Sequence, residues 1–255
     1  GNKRDDYKDE MSGSFLGPSF SNNRIEKDLK YLNANFDKLE DNELLPKLAK
    51  ELSQNKIVGW FQGRMEFGPR ALGARSILAN PLSEKMQKQL NLKIKFREGF
   101  RPFAPSILSE EVSNWFNLNK ESPYMSLVAK VKEDKKTKKY EKINLSVFDK
   151  LNVLRTIIPA VTHVDNSARI QTVHKETNPR YHHLISEFYK ITNCPILVNT
   201  SFNVRGEPIV CSIEDAYKCF MGTNLDILVC ENFILYKEKQ IKKTKENYKA
   251  KFELD

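Results

Sequence analysis

Residues 59–108 combine cations with the two residue types that shape loops. The arginines and two of the lysines in this stretch stand among glycines and prolines: Arg64, Arg70, Arg75, Lys93, Lys95, Arg97 and Arg101. Glycine lets a backbone turn sharply or approach a ligand closely, and proline fixes the local path of the chain. The planar guanidinium of arginine matches the oxygens of carboxylates and phosphates. The stretch therefore predicts rigid loops that bind a polyanion such as a triphosphate.

A second polar segment, residues 199–203, is predicted to begin directly after a short buried strand at residues 194–198. Open sheets commonly place ligand sites at strand ends. Hydroxyl and amide groups suit an oxygen-rich ligand, and the segment offers four side chains of this kind: Asn199, Thr200, Ser201 and Asn203. Because turns use the same residue types, a plain turn is the alternative. Arg205, Gly206 and Pro208 just beyond favour a shaped loop.

Arg169 lies in residues 165–173, where polar and apolar residues alternate as in a strand. The alternative to a ligand-binding arginine here is a solvent-facing arginine on an edge strand. The four histidines and four cysteines show no metal-binding spacing, and no CxxC pair occurs. We therefore predict no metal-ligating residue. The sequence also contains no Walker lysine loop, GxGxxG fingerprint or GxSxG elbow.

The composition is that of a globular protein with an uneven distribution of charge. Of the 255 residues, 40% are apolar and 29% are charged, and the formal net charge is +9. Residues 237–251 hold seven lysines against two glutamates, a net +5. Such terminal runs are commonly solvated and frayed, so the charge excess favours a solvated tail over a nucleic-acid surface. No run approaches the roughly 20 apolar residues that span a bilayer, and no signal peptide is visible. We expect a cytoplasmic location without membrane contact.

The periodicity of apolar residues predicts a mixture of helices and strands. Helices are predicted from about residue 25, at 43–54, 83–92, 109–115, 178–191 and 213–221, with Ser83 and Ser109 as caps. Ser212 and Asp215 form a predicted capping box. Strands are predicted at 57–61, 76–79, 124–131, 194–198, 225–230 and 233–236, and residues 95–105 as loop and strand. Since the elements do not alternate strictly as βαβ, the predicted fold class is α/β (α+β) with a mixed sheet.

Four motifs follow one another between about residues 57 and 236: GRMEFGPRALGARSILANP, REGFRPFAPSIL, HVDNSARIQTV and NTSFNVRGEPIV. Together they resemble the C-terminal domain of the O-carbamoyltransferases. That family includes nodulation carbamoyltransferases and enzymes that carbamoylate cephalosporin, aminoglycoside and ansamycin antibiotics. The resemblance implies a YrdC/Sua5-like domain over residues 41–236, with a mixed twisted sheet flanked by helices. Residues 1–40 would be a linker or the trailing edge of a preceding Kae1-like domain, and residues 237–255 a lysine-rich tail.

The resemblance also implies an activity. The family domain consumes carbamoyl phosphate and ATP, with Mg²⁺, and forms carbamoyl adenylate. A Kae1-like N-terminal domain of the same polypeptide, which would bind iron, then transfers the carbamoyl group to a hydroxyl acceptor. That domain would lie outside this chain and would be its partner. A homodimer is one further assembly that the resemblance leaves open.

The family's functional residues carry over onto six positions of this chain: Arg70, Lys95, Arg101, Arg169, Ser201 and Asn203. With Asn199 and Thr200 from the polar segment 199–203, they make eight candidate site residues. Three are assigned to catalysis: Lys95, Arg101 and Ser201. Five are assigned to substrate and nucleotide binding: Arg70, Arg169, Asn199, Thr200 and Asn203. Attack at the α-phosphate builds charge on equatorial oxygens, which preorganised cations stabilise, so no protein nucleophile is needed. Magnesium is expected to be held chiefly by phosphate oxygens and water.

Two other classes of function stay open from the sequence. One is a basic nucleic-acid-binding module, since the net charge is positive and the tail is rich in lysine. The other is a nucleotide-binding regulatory domain that has lost turnover. The arginines stand among glycines and prolines while the lysines crowd loops and ends, as in the insertion at residues 132–142. This pattern favours a small polyanion, so we expect nucleic acid not to be a partner.

Overall fold

The computed structural model describes residues 9, 11–137, 154–241, 248 and 252. The helices within these residues are α1 Asn22–Tyr31, α2 Asp41–Ser53, α3 Met86–Lys93, α4 Val112–Trp115, α5 Pro179–Thr192 and α6 Ile213–Gly222. The strands are β1 Asp37–Lys38, β2 Val58–Phe61, β3 Arg75–Ala79, β4 Ala104–Leu108, β5 Leu127–Lys130, β6 Ser167–Val173, β7 Ile196–Ser201, β8 Ile227–Cys230 and β9 Phe233–Tyr236.

In the described part of the chain, these strands form one mixed sheet in the order β1-β9-β8-β2-β3-β7-β4-β6-β5. Two neighbouring pairs are parallel, β2 with β8 and β4 with β6. The other six pairs are antiparallel. The predicted α/β class with a mixed sheet is therefore confirmed.

Amphipathic helices pack on this sheet in two pairs. Helix α2 packs against α5, and α1 against α6; α5 also contacts β4 and β7, and α6 contacts β2 and β8. In α2, Leu44, Leu45, Leu48 and Leu52 recur on one side and are fully buried, as the 3.6-residue period requires. The predicted capping box at Ser212 is confirmed, because it exchanges both bonds with Asp215. The apolar faces of these helices cover the sheet and form the hydrophobic core with it.

Two predicted caps are wrong, and one predicted strand end is too early. Helix α3 begins at Met86 instead of Ser83, because a turn continues past residue 80, where the Leu82 N–H donates to the Asn80 side chain at 3.0 Å. Ser109 opens a short 3-10 turn and makes no capping bond. Strand β7 continues to Ser201, so much of the polar segment 199–203 lies in the strand and not after it.

The described part of the predicted linker, residues 11–40, is built into the same fold. Backbone bonds of 2.9 Å join Gly17 and Pro18 to Met65, and β1 extends the sheet by pairing with β9. The origin of residues 1–40 in a preceding domain stays a prediction. The predicted insertion at residues 132–142 is described only as far as residue 137. Within this part, Glu133–Lys135 form a 3-10 turn.

The start of the lysine-rich tail is not the solvated end that its charge suggests. The Lys237 ammonium donates to the Thr223 carbonyl at 3.0 Å and to the Phe220 carbonyl. It also lies 4.2 Å from the centre of the Phe220 ring. The carbonyls at the end of α6 lack helical partners, which explains why a lysine is held there. Most of residues 242–255 lie outside the described residues.

Gly73 provides a test of the close packing between the loop before β3 and helix α5, which contains Tyr181. Its φ is +102°, and a Cβ there would lie 2.3 Å from the Tyr181 ring. We expect Gly73→Ala to lower the free energy of unfolding by about 3 kcal/mol, from backbone strain and overpacking together. Urea denaturation measures this. The control is Gly99→Ala, whose Cβ would meet atoms no closer than 3.6 Å; a loss as large as in Gly73→Ala would contradict the packing argument.

Candidate functional site

The loop between β2 and β3, which carries the motif GPRALG, is organised by one buried carboxylate. Glu66 is 6% exposed, and its Oε1 accepts the N–H groups of Leu72 at 2.6 Å and Ala74 at 2.7 Å. The Arg75 N–H also approaches both carboxylate oxygens, at 3.3 and 3.2 Å. A charged acceptor for several backbone donors fixes an otherwise irregular loop. Glu66 thereby sets the path of the chain that leads from Arg70 into β3.

Two arginines of the glycine-rich stretch are structural. Arg75 is fully buried, and its guanidinium donates to backbone carbonyls, including that of Gln62 at 2.8 Å, and stacks 3.5 Å from the Phe61 ring centre. Burial lowers the pKa of Arg75 to about 10. Arg64 donates to the Leu16 carbonyl at 2.7 Å. The polyanion-binding loops predicted from this stretch therefore present fewer cations than its sequence suggests.

A pocket of about 510 Å³ lies where the loop after α3 meets the end of β7. Its lining residues are Lys95, Arg97, Arg101, Thr200, Ser201, Asn203, Val204, Arg205, Gly206, Glu207 and Pro208. Five of the eight predicted site residues are among them, although the two segments are separated by about 100 positions in the sequence. The long-range pairing of the sheet brings them together.

Lys95 is the buried cation of this pocket. It is 4% exposed, and its Nζ lies 2.5 Å from the Ser201 carbonyl oxygen and 2.8 Å from that of Asn203. The side-chain oxygens of the same two residues lie at 3.3 and 2.7 Å. Burial lowers the pKa of Lys95 to about 7. Four oxygen acceptors surround one ammonium, so Lys95 ties the loop after α3 to the end of β7.

The more accessible cations of the pocket are arginines. Arg97 is half-buried, and its Nε donates to the Asn91 side chain at 2.7 Å. Burial, and then the nearby charge of Arg101, lower the pKa of Arg97. Arg101 is about half exposed and pairs through Nε with Glu98 at 2.9 Å. An ion pair this exposed is weak, so a phosphate can compete for the guanidinium. Arg205 also lines the pocket.

Arg70 and Arg169 form a second cationic group, outside the pocket lining. Arg70 is exposed and Arg169 is half-buried on β6, and burial followed by the charge of Arg70 lowers the pKa of Arg169. Strand β6 lies between β4 and β5, so the edge-strand alternative for Arg169 is wrong. The Nε of Arg169 is buried without a hydrogen-bond partner in the described structure. Two arginines whose charges repel are suited to a shared anion.

Asn199 joins the loop of Arg70 to the sheet. It is 1% exposed, and its Nδ2 donates to the Ala71 carbonyl at 3.0 Å and to Gln171 Oε1 at 2.8 Å. Gln171 in turn donates to the Leu72 carbonyl at 2.7 Å. The Oδ1 of Asn199 is buried and unpaired in the described structure. Its contacts place it beneath the Arg70 loop, and its role as a ligand, like those of the other seven assigned residues, stays a prediction.

The eight assigned site residues leave out three residues that the geometry singles out: Arg97, Gln171 and Glu207. Arg97 lies in the same KFREGFR run as Lys95 and Arg101, so its motif could have identified it. Gln171 and Glu207 also lie in quoted motifs, HVDNSARIQTV and NTSFNVRGEPIV, but their contacts with Asn199 and with the Val204 N–H could not be read from the motifs. In the described part of the chain, no group of three His, Cys, Asp or Glu side chains could hold a metal ion.

Comparison with known proteins supports the resemblance. A family model described as "Carbamoyltransferase C-terminus" matches residues 49–237. An uncharacterised protein of Synechocystis is 54% identical over 97% of this chain and 41% of its own length. Nodulation protein NolO of Bradyrhizobium diazoefficiens is 38% identical over 90% of this chain and 39% of its own. The 3'-hydroxymethylcephem-O-carbamoyltransferase of Amycolatopsis lactamdurans is 37% identical over 66% and 28%, respectively.

Because the family model covers most of its length, the chain belongs to the carbamoyltransferase C-terminal family. The resemblance to the C-terminal domain of the O-carbamoyltransferases is confirmed. The chain spans about two-fifths of the length of NolO and of the Synechocystis protein. The structure of full-length HypF, in a phosphate- and nucleotide-bound form, aligns over 73% of this chain and 21% of HypF at a TM-score of 0.46 and 19% identity, which is too weak to carry an argument. No helix in the described ranges is long and apolar enough to cross a membrane.

The carboxylate of Glu66 can be tested by an isosteric change. In Glu66→Gln, an amide group replaces one of the oxygens that accept backbone N–H groups, and the charge is lost. We expect the free energy of unfolding to fall by about 2 kcal/mol, the cost of leaving buried donors unpaired. Urea denaturation measures this, with Glu84→Gln, at an exposed position between β3 and α3, as the comparison. Equal stability of the two variants would show that Glu66 does not organise the loop.

The pKa of Lys95 predicts a specific dependence of stability on pH. Its folded value of about 7 lies below the ordinary 10.5, so between these values the unfolded chain binds more protons than the folded chain. Below pH 7 the folded chain keeps Lys95 charged, so folding carries the full free-energy cost of burying that charge. This cost disappears as the pH rises toward 10, because the buried amine is then neutral. Stability should therefore rise across this window, by at most about 1.4 kcal/mol per pH unit.

Lys95→Met, which cannot titrate, supplies the reference for this measurement. The difference in unfolding free energy between the wild-type chain and Lys95→Met should shift in favour of wild type as pH rises from 7 to 10. Chemical denaturation at several pH values gives both free energies. A difference that does not change with pH would mean that Lys95 keeps its ordinary pKa in the fold.

Proposed function

We propose that this domain forms carbamoyl adenylate from carbamoyl phosphate and ATP, for transfer to a hydroxyl acceptor. The observation that carries the proposal is the convergence of Lys95, Arg97, Arg101 and Arg205 with Ser201 and Asn203 in one pocket. Membership of the carbamoyltransferase C-terminal family supports a transferase of carbamoyl groups. The volume of about 510 Å³ lies within the roughly 300–1,000 Å³ of small-molecule sites.

The charge of the pocket suits these two substrates. Carbamoyl phosphate and a triphosphate together carry about six negative charges, which repel unless cations lie between them. The lining holds four basic side chains and one carboxylate, Glu207. Arginine guanidinium groups bind phosphate oxygens in pairs, which orients the phosphate as well as neutralising it. The pocket can therefore hold two anions close enough to react.

The proposed reaction needs positioning more than it needs a nucleophilic side chain. Water cleaves carbamoyl phosphate to carbamate and phosphate; a carbamate oxygen then attacks the α-phosphorus of ATP, and pyrophosphate leaves. Arg97 and Arg101 would stabilise the charge on the transferring phosphoryl oxygens. Asn203, fixed by Lys95, would donate its remaining amide hydrogen to phosphate or carbamoyl oxygens. The Ser201 hydroxyl, which donates to Asn203 Oδ1 at 2.7 Å, would turn toward these oxygens when the ligand binds. Magnesium, when bound with ATP, would neutralise phosphate charge, and phosphate oxygens and water suffice to hold it.

Arg70 and Arg169 extend the proposed site along the sheet. Asn199 connects their segment to β7, the strand that ends in the pocket. The loop that contains Arg70 thus meets β7 near the middle of the strand, and the pocket lies at the end of the strand. We assign Arg70 and Arg169 to the part of the polyanion that does not fit in the pocket, in keeping with the roles predicted from the motifs.

Acceptor transfer is proposed to take place on a further domain. The chain spans about two-fifths or less of its relatives, so the acceptor site has room in the remainder of such proteins. The expected Kae1-like N-terminal domain would be this partner. The hydroxyl acceptor would be chosen there, since none of the pocket residues described above is assigned to it.

A basic nucleic-acid-binding module is the competing class. Its basic residues would be spread over an exposed face and would bind with steep salt dependence. Several basic residues of this chain instead have internal partners: Arg75, Arg64, Lys95 and Lys237. Lys95→Ala distinguishes the two classes. It should abolish adenylate formation and leave any RNA binding by the tail almost intact; a parallel loss of RNA binding would favour the nucleic-acid module.

Phosphorus NMR of the chain with ATP, Mg²⁺ and carbamoyl phosphate tests the proposed half-reaction. Pyrophosphate should appear only when carbamoyl phosphate is present. Arg101→Ala should slow its appearance by about 100-fold, because one transition-state cation is lost. Arg24→Ala, which removes an exposed arginine on α1, is the charge-matched control and should keep the wild-type rate.

Three other results of the phosphorus NMR experiment, combined with a measurement of ATP binding, would have different meanings for the proposed half-reaction. Pyrophosphate without carbamoyl phosphate would contradict the proposed chemistry. Binding of ATP without turnover would place completion of the site in the partner domain. Absence of both binding and turnover would contradict the assignment of this pocket to ATP.

A further inference from the structure

Residues 203–208, the rim loop, form one wall of the pocket and depend on Glu207 for their shape. The Glu207 side chain accepts the Val204 N–H through Oε2 at 2.7 Å. Its backbone carbonyl accepts the Asn203 side-chain N–H at 2.6 Å. Burial lowers the pKa of Lys95, and the charge of Glu207, which lines the same pocket, acts in the opposite direction. Glu207 is thus an acid inside a cationic pocket.

Tyr248, in the C-terminal tail, makes a second contact with the Glu207 carboxylate. Its hydroxyl donates to Oε1 of Glu207, and the residue is only 9% exposed. Burial, and then the bond to Glu207, raise the pKa of Tyr248, so the phenol stays protonated and remains a donor. Tyr248 therefore serves Oε1 and the Val204 N–H serves Oε2. The buried Cys219 thiol also hydrogen-bonds to this carboxylate, and burial followed by the charge of Glu207 raises the pKa of Cys219.

The tyrosine ring is held in place by the end of α6. A Cβ on Gly222 would lie 2.2 Å from Tyr248 Cγ and 2.5 Å from Cδ2, so the ring rests directly on the glycine backbone. The Phe252 ring packs against it edge to face, with centroids 5.3 Å apart. The ring position is thus set by packing as well as by the hydroxyl.

We propose that Tyr248 is a positioning residue of the pocket, which keeps the Glu207 carboxylate away from the arginines that bind phosphate. This inference rests on the proposed function, since it assumes that the pocket binds a phosphate ligand. Without the tyrosine hydroxyl, Glu207 loses the oxygen-based side-chain donor that holds Oε1 and keeps only the Val204 N–H and the weaker Cys219 thiol. The carboxylate can then pair with Arg97, Arg101 or Arg205, which line the same pocket, and compete with the ligand. Tyr248 thereby controls the affinity of a pocket whose lining it does not join.

Isothermal titration of the 255-residue chain with Mg·ATP and with carbamoyl phosphate tests the proposal. Tyr248→Phe keeps the ring and removes the hydroxyl, and we expect its dissociation constants to rise about tenfold, as for loss of one hydrogen bond to a charged group. Gly222→Ala, which displaces the ring from α6, should produce a similar loss. Tyr31→Phe, at a residue that is 86% exposed, is the control and should bind as wild type.

A double variant separates positioning from a merely structural role. If Tyr248 acts through the charge of Glu207, the neutral side chain in Glu207→Gln cannot compete with phosphate. Adding Tyr248→Phe to Glu207→Gln should then change the dissociation constant by less than about twofold, as expected for coupled residues. A full tenfold further loss in the double variant would overturn the proposal, and so would wild-type affinity in Tyr248→Phe. If the wild-type chain binds neither ligand, the proposed function itself fails, which is a distinct result.

Discussion

The buried ammonium of Lys95 is the interaction on which the candidate site depends. It lies among four oxygens of Ser201 and Asn203, and so fastens the loop after α3 to the end of β7. A charge removed from water is costly unless oxygens replace its hydration. That requirement makes the arrangement specific, because no apolar side chain could hold the polar strand end in the same way. Arg97 and Arg101 reach the pocket because they follow Lys95 in this fastened loop.

Buried polar contacts fix two loops to β7, one near the middle of the strand and one at its end. Glu66 organises the loop that presents Arg70, and Asn199 and Gln171 tie that loop to the sheet. Lys95 then holds the end of the strand. In both places a buried polar or charged group binds backbone atoms, while more exposed arginines remain for a ligand. This division explains why a stretch rich in cations yields only a few candidate phosphate ligands.

Much of this fold was predictable from the sequence, because apolar periodicity and capping signals are local. The capping box at Ser212 and the strand pair at the C-terminal end were predicted for this reason. The start of α3 was missed, because a turn at Asn80 carries the chain past Ser83. The motifs located most of the pocket. They did not reveal that Lys95 faces carbonyl groups, or that Tyr248 reaches Glu207, since both depend on segments far apart in the chain.

The central claim is that this pocket binds the phosphates of the two substrates. A crystal structure of the chain with carbamoyl phosphate, Mg²⁺ and a non-hydrolysable ATP analogue tests it most directly. The account predicts phosphate oxygens within hydrogen-bonding distance of Arg97 and Arg101, with Lys95 still bound to Ser201. Ligands bound elsewhere, with this pocket left empty, would contradict it.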